Sequence, residues 1–188
     1  MIKAIITDFD GTLVDTFEAN LLAYQEAFAK EGIRLTQERY RECFGCRFDG
    51  FMTAMGIVDD QVAGRIKQYK KESYTKYFHL LRINEPLVRL IESFKAMGGK
   101  TAIASTARKE NLMNAVNYLG IAKHFDLIYA GVDVKKGKPS PEIYLKAMDA
   151  LGVTLDETLI FEDSDTGIEA AIASGARYIR VTPEWFGK

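Results

Sequence analysis

Two aspartates one residue apart close an apolar run in "AIITDFDGTL" (residues 4–13), and a glycine and a threonine follow at once. Side chains two apart on a strand point to the same side. Asp8 and Asp10 would therefore stand together where a buried strand runs out. Paired carboxylates repel unless a cation sits between them, or unless the two divide acid and base work. A helix-capping aspartate followed by a turn aspartate before Gly11 would give the same pattern without chemistry.

Three further polar clusters have the same setting, just beyond an apolar segment. "STARKE" begins with Ser105 and Thr106, "KKGKPSPEIY" carries Lys138, and "EDSDTGIEA" begins with Glu162 and Asp163. Each has a bland reading. Ser105 could cap the helix near 108, Lys138 could be a solvated loop lysine, and the acids could complement a helix N-terminus. Together, carboxylates, a hydroxyl and a lysine fit a Mg²⁺ site beside a phosphate site. Mg²⁺ takes a few carboxylates, waters and a substrate oxygen, and phosphoryl transfer needs positive charge around the equatorial oxygens.

The elements that would position these residues are legible. Residues 2–7, 100–104, 126–130, 157–161 and 177–181 are apolar nearly throughout, the pattern of parallel strands buried on both faces. Between the later ones, Leu87, Leu90, Ile91, Phe94 and Met97 recur at helical spacing, as do Leu112, Ala115, Val116 and Leu119, and Ile143, Tyr144, Ala147, Met148 and Leu151. Strand alternating with helix predicts an α/β fold: a Rossmann-like parallel sheet with helices on both faces. Residues 15–82 break the rhythm. They hold no convincing strand and predict helices at 16–31, 36–43, a short one after 47, and 59–80. The expected organisation is a core of residues 1–14 and 83–188, with a helical cap of residues 15–82 inserted after the first strand. Ligands of open parallel sheets bind beyond the strands' carboxyl ends, so an insertion leaving that edge would act as a lid. Asn84–Glu85–Pro86 is the expected second hinge, because the residue before a proline is pushed out of helical geometry.

At 188 residues and 47% apolar, the chain can build a real core. A net charge of −1 gives no electrostatic case for nucleic acid or an anionic membrane. No apolar run is long enough to span a bilayer. The start "MIKAIITDFD" reads as a strand, with too short an apolar stretch for a signal peptide. A cytoplasmic monomer is the expectation. Cys43 and Cys46, in "ECFGCR", could be a redox pair or half a zinc site, but the two histidines, His79 and His124, are far from them in sequence. Two reduced thiols beside a partly buried loop is the simpler reading.

The four motifs together resemble the haloacid dehalogenase-like hydrolase superfamily. "DFDGTLVDT" is similar to its first motif, "IAST" to the second, "GKPSPEIY" to the third and "IFEDSDTGIEAAIASG" to the fourth, in the expected order. The insertion looks like the small helical cap of the subgroup containing β-phosphoglucomutase and phosphoglycolate phosphatase. The resemblance implies a Mg²⁺-dependent phosphatase for a small phosphorylated metabolite. Asp8 would be the nucleophile that forms an aspartyl-phosphate, and Asp10 the general acid and then base. Asp8, Asp163 and the Asp10 carbonyl would hold Mg²⁺, with Glu162 acting through water or from behind. Ser105, with Thr106 beside it, and Lys138 would bind the phosphoryl group. The superfamily's dehalogenases lack the second aspartate, so Asp10 argues against C–halogen hydrolysis. Phosphonoacetaldehyde hydrolases use a cap lysine as a Schiff base, and none of the cap lysines here has a setting that marks it as that one. Mutase-like members carry histidine where this chain has Asn20, and an amide cannot hold and give a proton. A sugar-phosphate mutase is therefore the alternative, and a non-catalytic binding protein a more distant one. By position, Arg47 in the cap segment "FGCRFDG" is the candidate to meet an anionic substrate.

Overall fold

The computed structural model describes residues 1–187. In chain order, β1 (Ala4–Thr7) and β2 (Val14–Asp15) precede four helices: α1 (Phe17–Ala29), α2 (Gln37–Glu42), α3 (Phe48–Ala54) and α4 (Asp60–Tyr74). Then follow β3 (Arg82–Ile83), α5 (Glu85–Ala96), β4 (Lys100–Ala104), α6 (Lys109–Tyr118), β5 (Leu127–Tyr129), α7 (Glu142–Leu151), β6 (Thr158–Glu162), α8 (Asp165–Ser174) and β7 (Arg177–Arg180). The chain divides into two compact units, residues 1–15 with 82–188 and residues 16–81.

The first unit is built on a five-stranded parallel sheet in the order β5-β4-β1-β6-β7. Its central strands are apolar runs because both faces are covered. Ala4, Ile6, Ala102, Ala104 and Ile160 meet Tyr144, Ala147 and Met148 of α7 and Ala170 and Ala171 of α8. Ile5, Ile103 and Phe161 alternate to the opposite face, where right-handed crossovers place α5 and α6. Trp185 packs edge-on against Phe161 there, with ring centroids 6.1 Å apart. The chain runs outward from β1 through β4 to β5, then crosses to β6 on β1's other side. β1 and β6 thus flank the point where strand order reverses, the usual crevice for a ligand.

Unit two closes around its own core. Leu21, Ala27, Phe28, Leu35, Tyr40, Phe51, Met52 and Ile66 are buried together. Tyr24 meets Phe51 edge-on at 4.9 Å between centroids, and Tyr40 meets Phe51 at 5.7 Å. Such pairs contribute about 0.5–1.5 kcal/mol each beyond their buried area.

Three local expectations need correction. The helix expected over 59–80 ends at Tyr74, and residues 75–80 are a 3₁₀ turn. The edges of 15–82 are not strand-free: Asp15 pairs with Arg82, and Val14 with Ile83, in a short antiparallel ribbon. Glu85 is not driven out of helical geometry. It opens α5, and Pro86 sits in the first turn, where no intrahelical N–H is needed. The start is fixed instead by Asn84, which is fully buried. Its Oδ1 accepts the Leu87 amide at 3.2 Å and its amide donates to the Thr12 carbonyl at 3.0 Å.

That double role generates a prediction. Asn84→Ala removes a cap, worth about 1 kcal/mol, and leaves the Thr12 carbonyl buried without its donor, a further ~1–3 kcal/mol. Asn84→Asp should restore the cap but not the donor, and fall between wild type and alanine. Urea-unfolding midpoints check the order; equal stability of Asp and Ala variants would refute it.

Candidate active site

Strand register brings the first acids together. Thr7 sits beside Phe161, and the Asp8 amide donates to the Phe161 carbonyl at 2.9 Å. Asp8 thus leaves β1 alongside Glu162 and Asp163 at the end of β6. Carboxylate oxygens of Asp8, Glu162 and Asp163 all lie within 4.8 Å of one another. Asp8 and Glu162 are 6% and 1% exposed.

Lys138 comes from far along the chain to meet them. Its Nζ donates to Asp8 Oδ1 at 2.6 Å and to Glu162 Oε2 at 2.5 Å, with its side chain 4% exposed. The loop that carries it is stapled by Glu142, whose two carboxylate oxygens accept the backbone amides of Lys135 at 2.8 Å and Lys136 at 2.9 Å. The Lys138–Pro139 peptide is cis.

The acids are held from behind. Thr12 Oγ1 donates to Asp163 Oδ1 at 2.7 Å, and Arg180 donates to the Asp163 carbonyl at 3.0 Å. Gly11 has φ +86°, and a Cβ there would stand 2.3 Å from Asp163 Oδ2. The glycine after the two aspartates thus supplies both a left-handed turn and room for a third carboxylate. Gly167, within helix α8, likewise makes room for Glu162: a Cβ there would stand 2.0 Å from its carboxyl carbon.

Crowding sets the protonation. Burial, and then the charge of Glu162, push Asp8 well above the usual carboxylate range. Burial pushes Asp163 up to about 7, against the hydrogen bond from Thr12. Glu162 goes the other way: burial would raise it, but the Lys138 charge and its hydrogen bonds hold it low. Burial would depress the Lys138 ammonium, and the charges of Asp8 and Glu162 outweigh that and keep it protonated.

The remaining sequence-predicted residues fall as follows. Ser105 is buried at the end of β4, its amide donating to the Tyr129 carbonyl at 3.1 Å. Its Oγ accepts the Ala107 amide at 3.0 Å. It does not cap α6, whose N-cap is Arg108. Thr106 is half-buried beside it, and Asp10 is half-buried and bridges to Val14. Asn20 and Arg47 belong to the second unit: Asn20 is buried within α1, and Arg47 is half-buried as the residue before α3. Cys43 is buried and Cys46 exposed, both free. Sequence reasoning missed Thr12, Glu142, Tyr144 and Arg180 as parts of the site. Glu142 reads as an ordinary first-turn acid and Tyr144 as core.

The profile of the haloacid dehalogenase-like hydrolases matches residues 5–181. The chain belongs to this family. A phosphorylated carbohydrates phosphatase of Thermotoga maritima is 30% identical over 180 residues, covering 94% of this chain and 83% of that protein. A phosphoglycolate phosphatase of Aquifex aeolicus is 27% identical over 184 residues, covering 93% and 82%. Among solved structures, CbbY from Rhodobacter sphaeroides in complex with phosphate superposes with a TM-score of 0.88 at 28% identity, over 98% of this chain and 88% of that one. A mutant of that protein was solved with xylulose-(1,5)-bisphosphate. This haloacid dehalogenase-like hydrolase is a phosphatase, a phosphoric monoester hydrolase, on the same core architecture.

The staple at Glu142 makes a checkable claim. Glu142→Ala should free the Lys135 and Lys136 amides and raise their hydrogen-exchange rates at least tenfold, since an amide to carboxylate bond is worth about 1.5–3 kcal/mol. Glu142→Gln, which keeps an acceptor, should restore part of the protection. Unchanged exchange in the alanine variant would show that the loop is held otherwise.

Proposed function

We propose that this enzyme hydrolyses a small phosphorylated metabolite through an aspartyl-phosphate on Asp8, with Mg²⁺ as its cofactor. The observation that carries the reading is the buried cluster at the strand ends: Asp8, Glu162 and Asp163 together, facing one ammonium, Lys138. Their ionised charge exceeds that of the ammonium by two. An all-oxygen donor set with that excess suits a hard divalent cation, and Mg²⁺ uses few protein carboxylates. Asp8, Asp163 and the Asp10 carbonyl would hold it, with Glu162 behind them. When bound, it supplies positive charge that lets an anionic phosphoryl group approach the carboxylates.

The residues then divide the work. An Asp8 oxygen attacks phosphorus in line with the ester bond. The phosphorus–oxygen ester bond breaks, and the protonated Asp10 carboxyl gives its proton to the departing alkoxide. Asp10, now ionised, takes a proton from water as that water's oxygen attacks the aspartyl-phosphate. The bond to Asp8 breaks, and inorganic phosphate leaves. Lys138 and Ser105, with Thr106 adjacent, orient the phosphoryl oxygens.

A mutase of the β-phosphoglucomutase type would pass the phosphoryl group to a second hydroxyl instead. Asn20, an amide that cannot shuttle a proton, favours water as the acceptor. In this reading residues 15–82 serve as a lid, and Arg47 contacts the non-reacting anionic part of the substrate. A binding-only role leaves the Asp8–Lys138–Glu162 arrangement without a purpose. The enzyme would work as a cytoplasmic monomer without nucleic-acid or membrane partners, the mass checked by light scattering. Among the described residues, no helix is long and apolar enough to cross a membrane.

A panel of phosphate esters tests the reaction. Asp8→Asn should abolish turnover, and Asp10→Asn should lower it by about 10²–10⁴. Arg47→Ala should raise KM for the best metabolite on the panel and leave a small generic ester unaffected. Release of free phosphate, rather than an isomeric ester, separates phosphatase from mutase. Undiminished turnover by Asp8→Asn would end the reading.

Metal dependence carries a pH signature. Asp163 is raised from its unfolded value of 3.8 to about 7. Its contribution to the stability of the metal-free protein is therefore full below 3.8 and is lost as pH rises through about 7. Mg²⁺ must displace that proton, so its stabilising effect should be large above pH 7 and fade toward pH 5. Melting temperatures with and without Mg²⁺, for wild type and Asp163→Asn, measure the difference. A Mg²⁺ effect independent of pH, or full activity after exhaustive EDTA treatment, would contradict it.

A further inference from the structure

The Glu162 carboxylate is fully engaged by the protein itself. Oε1 accepts the Asp163 amide at 3.1 Å, the Ser164 amide at 3.1 Å and the Ser164 hydroxyl at 2.9 Å. Oε2 accepts Lys138 Nζ at 2.5 Å and the Tyr144 hydroxyl at 2.6 Å. A carboxylate offers about four lone-pair directions, and five protein donors converge on this one. Tyr144 is fully buried in α7. A phenylalanine would fill the same space, so packing alone does not call for the hydroxyl. The ring also faces the lysine, with Lys138 Nζ 5.0 Å from its centroid.

We propose that Tyr144 is a positioning residue for Lys138, acting through Glu162, and that Glu162 serves as the anchor of this pair rather than as a ligand. The inference rests on the phosphatase reading given above. Two donors share Oε2. The Tyr144 hydroxyl takes part of that oxygen's charge and fixes its direction, so Lys138 is tethered without being pulled away from Asp8. Of the three ammonium N–H groups, one goes to Asp8 and one to Glu162. The third is left for a phosphoryl oxygen, aimed by the other two. Without the hydroxyl, Glu162 would swing toward the lysine and the aim would be lost.

The test is Tyr144→Phe, read in three ways. Inorganic phosphate affinity at saturating Mg²⁺ should fall on the order of tenfold, the low end of what a hydrogen bond to a charged group is worth, and kcat should fall with it. Mg²⁺ affinity, measured without phosphate, should stay within twofold of wild type. The Lys138 ammonium, followed by its ¹⁵N–¹H resonance, should exchange faster with water. Glu162→Gln should show the same pattern more strongly, still binding Mg²⁺ where Asp163→Asn does not. Wild-type phosphate affinity and ammonium exchange in Tyr144→Phe would overturn the proposal. So would a loss of Mg²⁺ affinity in Glu162→Gln as large as in Asp163→Asn, because Glu162 would then be a ligand. A wild-type protein that neither cleaves phosphate esters nor binds phosphate would sink the phosphatase reading, while the ammonium exchange would still decide whether Tyr144 positions Lys138.

Discussion

One ammonium held between two buried carboxylates organises the core of this protein. Lys138 bonds Asp8 and Glu162 at 2.6 and 2.5 Å with almost no access to water. Removing one partner from a buried pair typically costs about 3–5 kcal/mol, because the remaining charge stays desolvated. The arrangement is supported by further contacts around it. Glu162 is wrapped by Lys138, by Tyr144 of α7 and by Asp163 and Ser164 of the turn between β6 and α8. Asp163 is held by Thr12 and by Arg180 on β7, and Asp8 continues the β1–β6 ladder through its amide. Among the described residues, no buried side-chain nitrogen or oxygen lacks a hydrogen-bond partner.

Helix α7 shows how packing and chemistry share residues. Ile143, Ala147, Met148 and Leu151 face the sheet. Between and before them, Tyr144 reaches Glu162 and Glu142 turns back onto the loop carrying Lys138. A shift of this helix would therefore move the lysine from both ends. The aliphatic residues that look purely structural fix the reach of a charged group by fixing the helix that aims it.

The sheet's central strands β1, β4 and β6 were legible in the sequence because they are buried and stand out as apolar runs. The edge strand β7, expected to be covered on both faces, is exposed at all four positions because no strand or helix covers it fully. The acids, the serine and the lysine were legible because each follows such a run. Glu142 and Tyr144 were hidden by the same logic. A glutamate in a helix's first turn and a tyrosine on its apolar stripe both have ordinary explanations, and only the loop's return path gives them another. Asn84 was hidden by Pro86, whose effect on its neighbour was overridden by a buried cap bonded to Thr12. The break after Tyr74 carried no proline or glycine. The two-residue ribbon at Val14–Asp15 and Arg82–Ile83 was too short to leave a pattern at all.

The division into two units follows from where the charges are. Every residue in the acidic cluster, and every group holding one, belongs to the unit of residues 1–15 and 82–188. The chain leaves that unit only after Thr12, Leu13 and Val14 are buried, and it returns through a ribbon that pairs the outgoing and incoming strands. Asn84 then ties the return to the Thr12 carbonyl, next to the side chain that holds Asp163. Residues 16–81 have their own apolar core, built on aromatic contacts that need no strand from the other unit. Asp8, Lys138 and Asp163 are therefore held by contacts within one unit, with none of these partners drawn from residues 16–81.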